Sequence, residues 1–209
     1  MGLLEQKTTD FIDALASSAP VPGGGGVAAT TGAFAAALGM MVANLTIGKK
    51  KYEAYEEIVK EGLQKLDVLQ KKLIALTDAD AIAFEPVSKA YSLPKNTPEE
   101  IAYRDEVMEA GLVEASSVPL EIMATVGQVI DILDVLLGKT SVLAISDIGV
   151  GVLLAQAALE GAALNVYINT KLMKNRSQAD AMNAEADAMI KAGAILKEKI
   201  YAATLAALQ

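Results

Sequence analysis

The chain has 209 residues with 26 acidic and 18 basic side chains, a net charge of −8, and contains neither cysteine nor histidine. An acidic chain of this kind is a poor partner for nucleic acid. The missing residue types exclude disulfides, Ser–His–Asp and Cys–His catalysis and histidine-based zinc sites, which leaves Asp, Glu, Lys and Tyr for any acid–base role.

Hydrophobic spacing is helical almost throughout, with no convincing alternating strand. A short first helix is expected near Thr9, with Phe11 and Leu15 one turn apart. Pro20-Val21-Pro22 then stiffens the approach to four glycines, Gly23 to Gly26, which open a small-residue helix ending near Thr46-Ile47-Gly48. A long helix is predicted from about Tyr52 to Ser92, kinked or redirected at Pro86. Thr97-Pro98-Glu99-Glu100 supplies an N-cap, an N1 proline and a capping-box glutamate for a helix reaching towards Leu137, with a bend at Pro119. After a break at Gly138 to Ser141, a helix runs from about Ser146 to Leu172, and Ser177-Gln178-Ala179-Asp180 caps a last one. The expected fold is an all-α bundle of about six helices, several of them long, in one domain spanning 1–209. Its Ala-rich faces suggest that subunits pack together. The run Met1 to Lys7 lacks the basic start and apolar stretch of a signal peptide, which points to the cytoplasm.

The stretch from Pro20 to Tyr52 organises the rest. No charged side chain stands between Asp13 and Lys49, where Lys49-Lys50-Lys51 arrive together. The glycines permit φ > 0 and leave backbone N–H groups uncovered, and a helix starting behind them aims its positive end into that loop, a place for an anionic or carbonyl-bearing ligand. A flexible linker is disfavoured by the flanking prolines. Walker A fails for want of Gly-Lys-Ser/Thr, and Gly24-x-Gly26-x-x-Ala29 follows no strand. Val27 to Ile47 is long enough to span a membrane, yet its Ala, Gly and Thr content suits a helix packed on all sides in a bundle.

A second anomaly lies in Thr77-Asp78-Ala79-Asp80. Extending the stripe Leu66, Leu69, Leu73, Leu76 by one step lands on Asp80, a carboxylate at a core-facing position, while Asp78 points elsewhere. Burial raises a carboxyl pKa towards the range useful for proton transfer. The alternatives are a pairing with a buried lysine or a cap on a neighbouring helix. Aspartyl-phosphate chemistry is disfavoured because its Asp-x-Asp follows a strand. Ser146 or Asp147 reads as a helix N-cap or, for Asp147, a ligand contact. Asn165 and Asn169, four apart on an apolar helix, suit either a heterocycle or a bridge between helices. Lys49 to Lys51 reads as a solvated corner or a patch for a polyanionic tail.

Together these motifs resemble the cyclodeaminase/cyclohydrolase family of folate enzymes. The resemblance covers nearly the whole chain: Ser-Ala-Pro-Val-Pro-Gly-Gly-Gly, Met41-Val-Ala-Asn-Leu-Thr-Ile-Gly-Lys-Lys-Lys-Tyr52, Asp78-Ala-Asp-Ala, Leu93-Pro-Lys-Asn-Thr-Pro-Glu-Glu100, Ser117-Val-Pro-Leu, Ser146-Asp147 and Asn165-Val-Tyr-Ile-Asn169, in that order. It implies an all-helical homodimer acting on the one-carbon bridge of tetrahydrofolate, without metal or other cofactor and without membrane or nucleic acid. The family's catalytic aspartate, second of its Asp-x-Asp pair, falls on Asp80. Substrate binding is implied for Pro22, Gly23, Gly24, Gly25, Lys49, Lys50, Asp147, Asn165 and Asn169, with the lysines facing a glutamate tail. Two departures stand out. Thr140 to Leu143 replace a turn that usually contains Gly-Asn, and Gly26 stands where many relatives have Ser.

The expected activity is hydrolysis of 5,10-methenyltetrahydrofolate to 10-formyltetrahydrofolate, with ammonia-releasing cyclodeamination of 5-formiminotetrahydrofolate as the alternative. A helical interaction protein without catalysis ranks lower, because Asp80 is present. A membrane protein ranks last.

Overall fold

In a computed structural model, residues 2–209 are described, and six α-helices make up nearly all of the fold. They are α1 (Thr8–Leu15), α2 (Gly24–Asn44), α3 (Glu56–Tyr91), α4 (Pro98–Leu136), α5 (Ile145–Thr170) and α6 (Arg176–Leu208). No strand occurs among the described residues. Helices α2, α3, α4 and α5 form a ring in which each packs against the next, and α6 lies across α4 and α5. Leu66, Leu73, Met123, Ile130, Leu133 and Leu159 are among the large side chains that fill it.

Small residues let α2 sit this deep. A methyl group on Gly32 would come within 2.7 Å of Val126 Cγ2 and 3.3 Å of Leu73 Cδ1, so the approach of α2 to both α3 and α4 requires glycine there. The membrane reading of this helix has a physical origin. Gly24–Asn44 and the run Val142–Thr170 are each long and apolar enough to cross a bilayer, and they bury 61% and 56% of their most apolar windows inside the bundle. Their apolar character serves the core first.

Most predicted boundaries stand within a few residues, and the exceptions lie at helix starts. Thr97 accepts from Glu100 N, and Glu100 reaches back to Thr97 N, the expected capping box. The last helix begins instead at Arg176, because Asn175 accepts from Gln178 N; Ser177 is already inside. Neither Ser146 nor Asp147 caps α5, whose N-cap is Ala144 with no side-chain bond. Lys50–Tyr55 forms a 3-10 turn, which delays α3 from Tyr52 to Glu56. Helical assignment is unbroken through Pro86 and Pro119, so the expected change of direction at Pro86 does not end the helix.

Candidate active site

A cleft of about 170 Å³ opens where the N-terminus of α2, the second half of α3, the middle of α4 and the last turns of α5 converge. Pro20, Val21, Gly23 and Gly24 form one wall, Asp80 and Phe84 of α3 a second, and Asn165, Ile168 and Asn169 of α5 a third. The larger cavity, about 420 Å³ beneath α1, has no ionisable side chain in its lining. Asp80 places an ionisable group in the smaller one.

Asp80 enters the cleft because its stripe passes the N-terminus of α2 before it meets core again at Ala83 and Val87. Leu66, Leu69, Leu73 and Leu76 are buried, and one step later the helix passes the end of α2, leaving the carboxyl half-buried against the backbone of Gly25 and Gly26. The core-facing position expected for it is the wall of this cleft. Burial pushes the Asp80 carboxyl above the usual aspartate range, and a hydrogen bond from Gly26 N–H pulls the other way without cancelling it. Asp78 points away and accepts from Leu3 N at 2.7 Å, which ties down the N-terminal segment.

The glycines act differently from the expectation of φ > 0. Only Gly48 and Gly138 have positive φ, and α2 starts at Gly24 with Gly23 as its N-cap. The requirement is space. A Cβ on Gly25 would lie 2.1 Å from Asp80 Oδ1, and one on Gly24 would lie 3.3 Å from Asn165 Nδ2. Gly25 therefore backs the carboxylate rather than lining the cavity, and Pro22 is buried behind Pro20 and Val21, which do line it. The first-turn N–H groups of α2 remain free of helical partners and favour negative charge at this spot.

Asn165 Nδ2 donates to Gly161 O, one turn back, and its side chain faces Gly24 across the cleft mouth. Asn169 is buried and donates to Ala115 O at 2.7 Å, bridging α5 to α4. It is the helix bridge that its spacing offered as one option, placed in the cleft wall. Phe84 and Ile168, apolar walls of the same cleft, were missed by sequence reasoning. The signal for Phe84 was available, since it follows Asp80 by one turn.

Lys49, Lys50 and Asp147 do not join this cleft within one chain. Lys49 and Lys50 follow the C-terminus of α2, and Asp147 lies in the first turn of α5. The two helices are antiparallel, so both groups lie at the far end, about 27 Å along α5 from Asn165 at 1.5 Å per residue. There Lys49 Nζ donates to Ser141 Oγ, Ser141 N donates to Thr46 Oγ1, and Val142 N donates to the Tyr52 hydroxyl.

A family profile described as formiminotransferase-cyclodeaminase matches residues 7–188. The chain belongs to this family. A methenyltetrahydrofolate cyclohydrolase from Methylorubrum extorquens is 45% identical over 191 residues, covering 91% of this chain and 92% of that protein. A formimidoyltransferase-cyclodeaminase from Gallus gallus is 36% identical over 170 residues, and the match spans only 31% of that longer protein. The crystal structure of a formiminotetrahydrofolate cyclodeaminase from Thermotoga maritima superposes with a TM-score of 0.80 at 29% identity, covering 95% of this chain and 97% of that one. As a member of the formiminotransferase-cyclodeaminase family, the protein carries the cleft described above on a fold shared along nearly its full length.

Proposed function

We propose that the protein is a methenyltetrahydrofolate cyclohydrolase, hydrolysing 5,10-methenyltetrahydrofolate to 10-formyltetrahydrofolate. The observation that carries this is the Asp80 carboxyl, half-buried in the cleft with its pKa raised by burial. The full-length similarity to the Methylorubrum extorquens cyclohydrolase supports the choice of substrate.

The methenyl carbon is an electrophilic amidinium, so water can add to it without a metal or covalent nucleophile. Asp80 takes one proton from the attacking water as the C–O bond forms, giving a neutral carbinolamine. Asp80 then returns a proton to N5 as the C–N5 bond breaks, the hydroxyl proton leaves to solvent, and the carbon stays on N10 as a formyl group. One water is consumed and one proton released. Proton acceptance and return by a single group suit a carboxyl whose pKa lies nearer neutrality than an exposed aspartate's. Asn165 and the α2 N-terminus would orient the ring. The wall of Phe84 and Ile168 would shield the reacting carbon from bulk water. A cytoplasmic, homodimeric enzyme fits this role.

The rival is cyclodeamination, supported by the Thermotoga maritima protein and the longer relatives. Offering the two substrates side by side separates them. The expected result is rapid loss of the methenyl near-ultraviolet band beyond the uncatalysed rate, with little ammonia from 5-formiminotetrahydrofolate. Ammonia release as the faster reaction would reverse the assignment.

A further inference from the structure

The first turn of α2 has no side chains with which to hold itself in place. Gly24, Gly25 and Gly26 open the helix, and glycine is a poor helix former, so packing of Cβ atoms cannot fix where this turn sits. Asp80 nevertheless leans on it, accepting from Gly26 N–H with Gly25 close behind the carboxylate. Something else must locate Gly26.

Two buried threonines stand at that point. Thr30 Oγ1 donates to Gly26 O at 2.9 Å and lies 3.3 Å from Thr77 Oγ1 of α3. Thr77 Oγ1 is in turn 3.2 Å from Leu73 O. Each hydroxyl has one proton, and the shortest contact, to Gly26 O, takes that of Thr30; Thr77 is left to donate to Thr30 or to Leu73 O. Thr77 also stands against Gly26 itself, since a Cβ there would lie 3.4 Å from Thr77 O and 3.7 Å from Thr77 Cγ2. Asp80 follows Thr77 by three residues, on the same face of α3. One face of α3 thus presents to Gly26 both a hydroxyl and, one turn on, the carboxylate that its N–H holds.

A threonine bonded to the carbonyl four residues back is ordinary within a helix, and Thr31 does the same with Val27 O at 2.8 Å. The partner on another helix sets Thr30 apart. Among the described residues, Thr30–Thr77 is the only hydrogen bond between a side chain of α2 and one of α3. Elsewhere the two helices set Gly32 against Leu73 and Gly39 against Leu66. Apolar contacts of that kind are non-directional. A slip of one residue along the helix would carry Gly26 about 1.5 Å.

We infer that Thr30 and Thr77 are positioning residues for Asp80: their hydroxyl pair fixes the first turn of α2 against α3, and with it the Gly26 N–H on which the carboxylate rests. Neither threonine lines the cleft. This rests on Asp80 being the acid–base group of the proposed hydrolysis and goes further by naming what aims it.

Valine keeps the shape of threonine and removes the hydroxyl. Thr30→Val and Thr77→Val are each expected to lower kcat for methenyltetrahydrofolate about tenfold with KM little changed, since a misplacement of about 1 Å can cost about 10²-fold. The midpoint of the pH profile should move up, because the Gly26 N–H bond that favours the charged carboxylate is weakened while burial remains. Asp80 is the one ionisable side chain lining the cleft, and Asp78 is turned away onto Leu3 N, so the midpoint reports on Asp80. The double variant should lose no more than either single variant, as two halves of one contact do. Thr77→Ser, which keeps the hydroxyl, should retain most of the activity and the wild-type midpoint. Thr31→Val makes the same change next door, where there is no partner on α3, and should alter neither. Alanine at either position stands in for a valine variant that does not melt cooperatively, with the same outcomes expected. Wild-type kcat and midpoint in the hydroxyl-free variants, losses that multiply in the double variant, or an equal loss in Thr31→Val would overturn the pair. Should the wild type hydrolyse no methenyltetrahydrofolate, the substrate reading fails separately. The placement is then read without turnover, by carbon NMR titration of protein carrying isotope-labelled aspartate, with the Asp80 signal identified by its loss in Asp80→Asn. A higher Asp80 midpoint in Thr77→Val than in wild type supports the pair, and an unchanged one overturns it.

Discussion

Asp80→Asn is expected to lower kcat/KM for methenyltetrahydrofolate by about 10²–10⁴-fold, the usual worth of one positioned acid–base group. The substitution keeps the volume and leaves a side-chain oxygen able to accept from Gly26 N–H, so the fold should be preserved. Its stability should in fact rise. Because burial holds the Asp80 pKa above its ordinary value, the native state binds the proton more tightly than the unfolded chain does. Wild-type stability therefore falls as pH rises from the ordinary aspartate range through the raised value, and the Asn variant escapes that fall. Urea denaturation should show the variant more stable than wild type at neutral pH, with the gain shrinking below the ordinary aspartate range. An inactive variant that is also less stable at neutral pH would mean that Asp80 holds the fold rather than the reaction.

Gly25→Ala should be nearly as damaging for a different reason. Its methyl group would stand 2.1 Å from Asp80 Oδ1 and 2.5 Å from Asp80 Cγ. The carboxylate must swing out of place, and a displacement of about 1 Å from the reacting atoms can cost about 10²-fold in rate. Gly161→Ala is the matched control: its Cβ would meet only Ala28 Cβ at 3.8 Å, and it adds the same methyl to a helix in the same bundle. Steady-state kinetics and thermal melting on both variants check this. Full activity in Gly25→Ala would mean that the carboxylate works from some other position.

Much of this was legible in the residues. Helical periodicity, the Thr97 capping box and the stripe running into Asp80 are local patterns, and each survived folding because tertiary packing reinforces it. The site was legible only in halves. Gly24, Asp80 and Asn165 come together because α2 and α5 run antiparallel, a relation no local pattern encodes. The same relation removes Lys49, Lys50 and Asp147 to the far end. The glycines illustrate a further limit: their presence was informative, but the reason lay in an approach between α2 and α3 rather than in their own dihedral angles. Asn175 displaced Ser177 as the cap of α6 because two eligible residues stood in sequence and only geometry chose between them.

The pH dependence of kcat/KM for methenyltetrahydrofolate, corrected for uncatalysed hydrolysis, tests the central claim most directly. A proton-accepting Asp80 predicts a rate that rises with pH and levels off at a midpoint above the ordinary aspartate range, with that rise absent from the residual activity of Asp80→Asn. A flat profile through that range, or the same profile in the variant, would contradict Asp80 as the group that moves the proton.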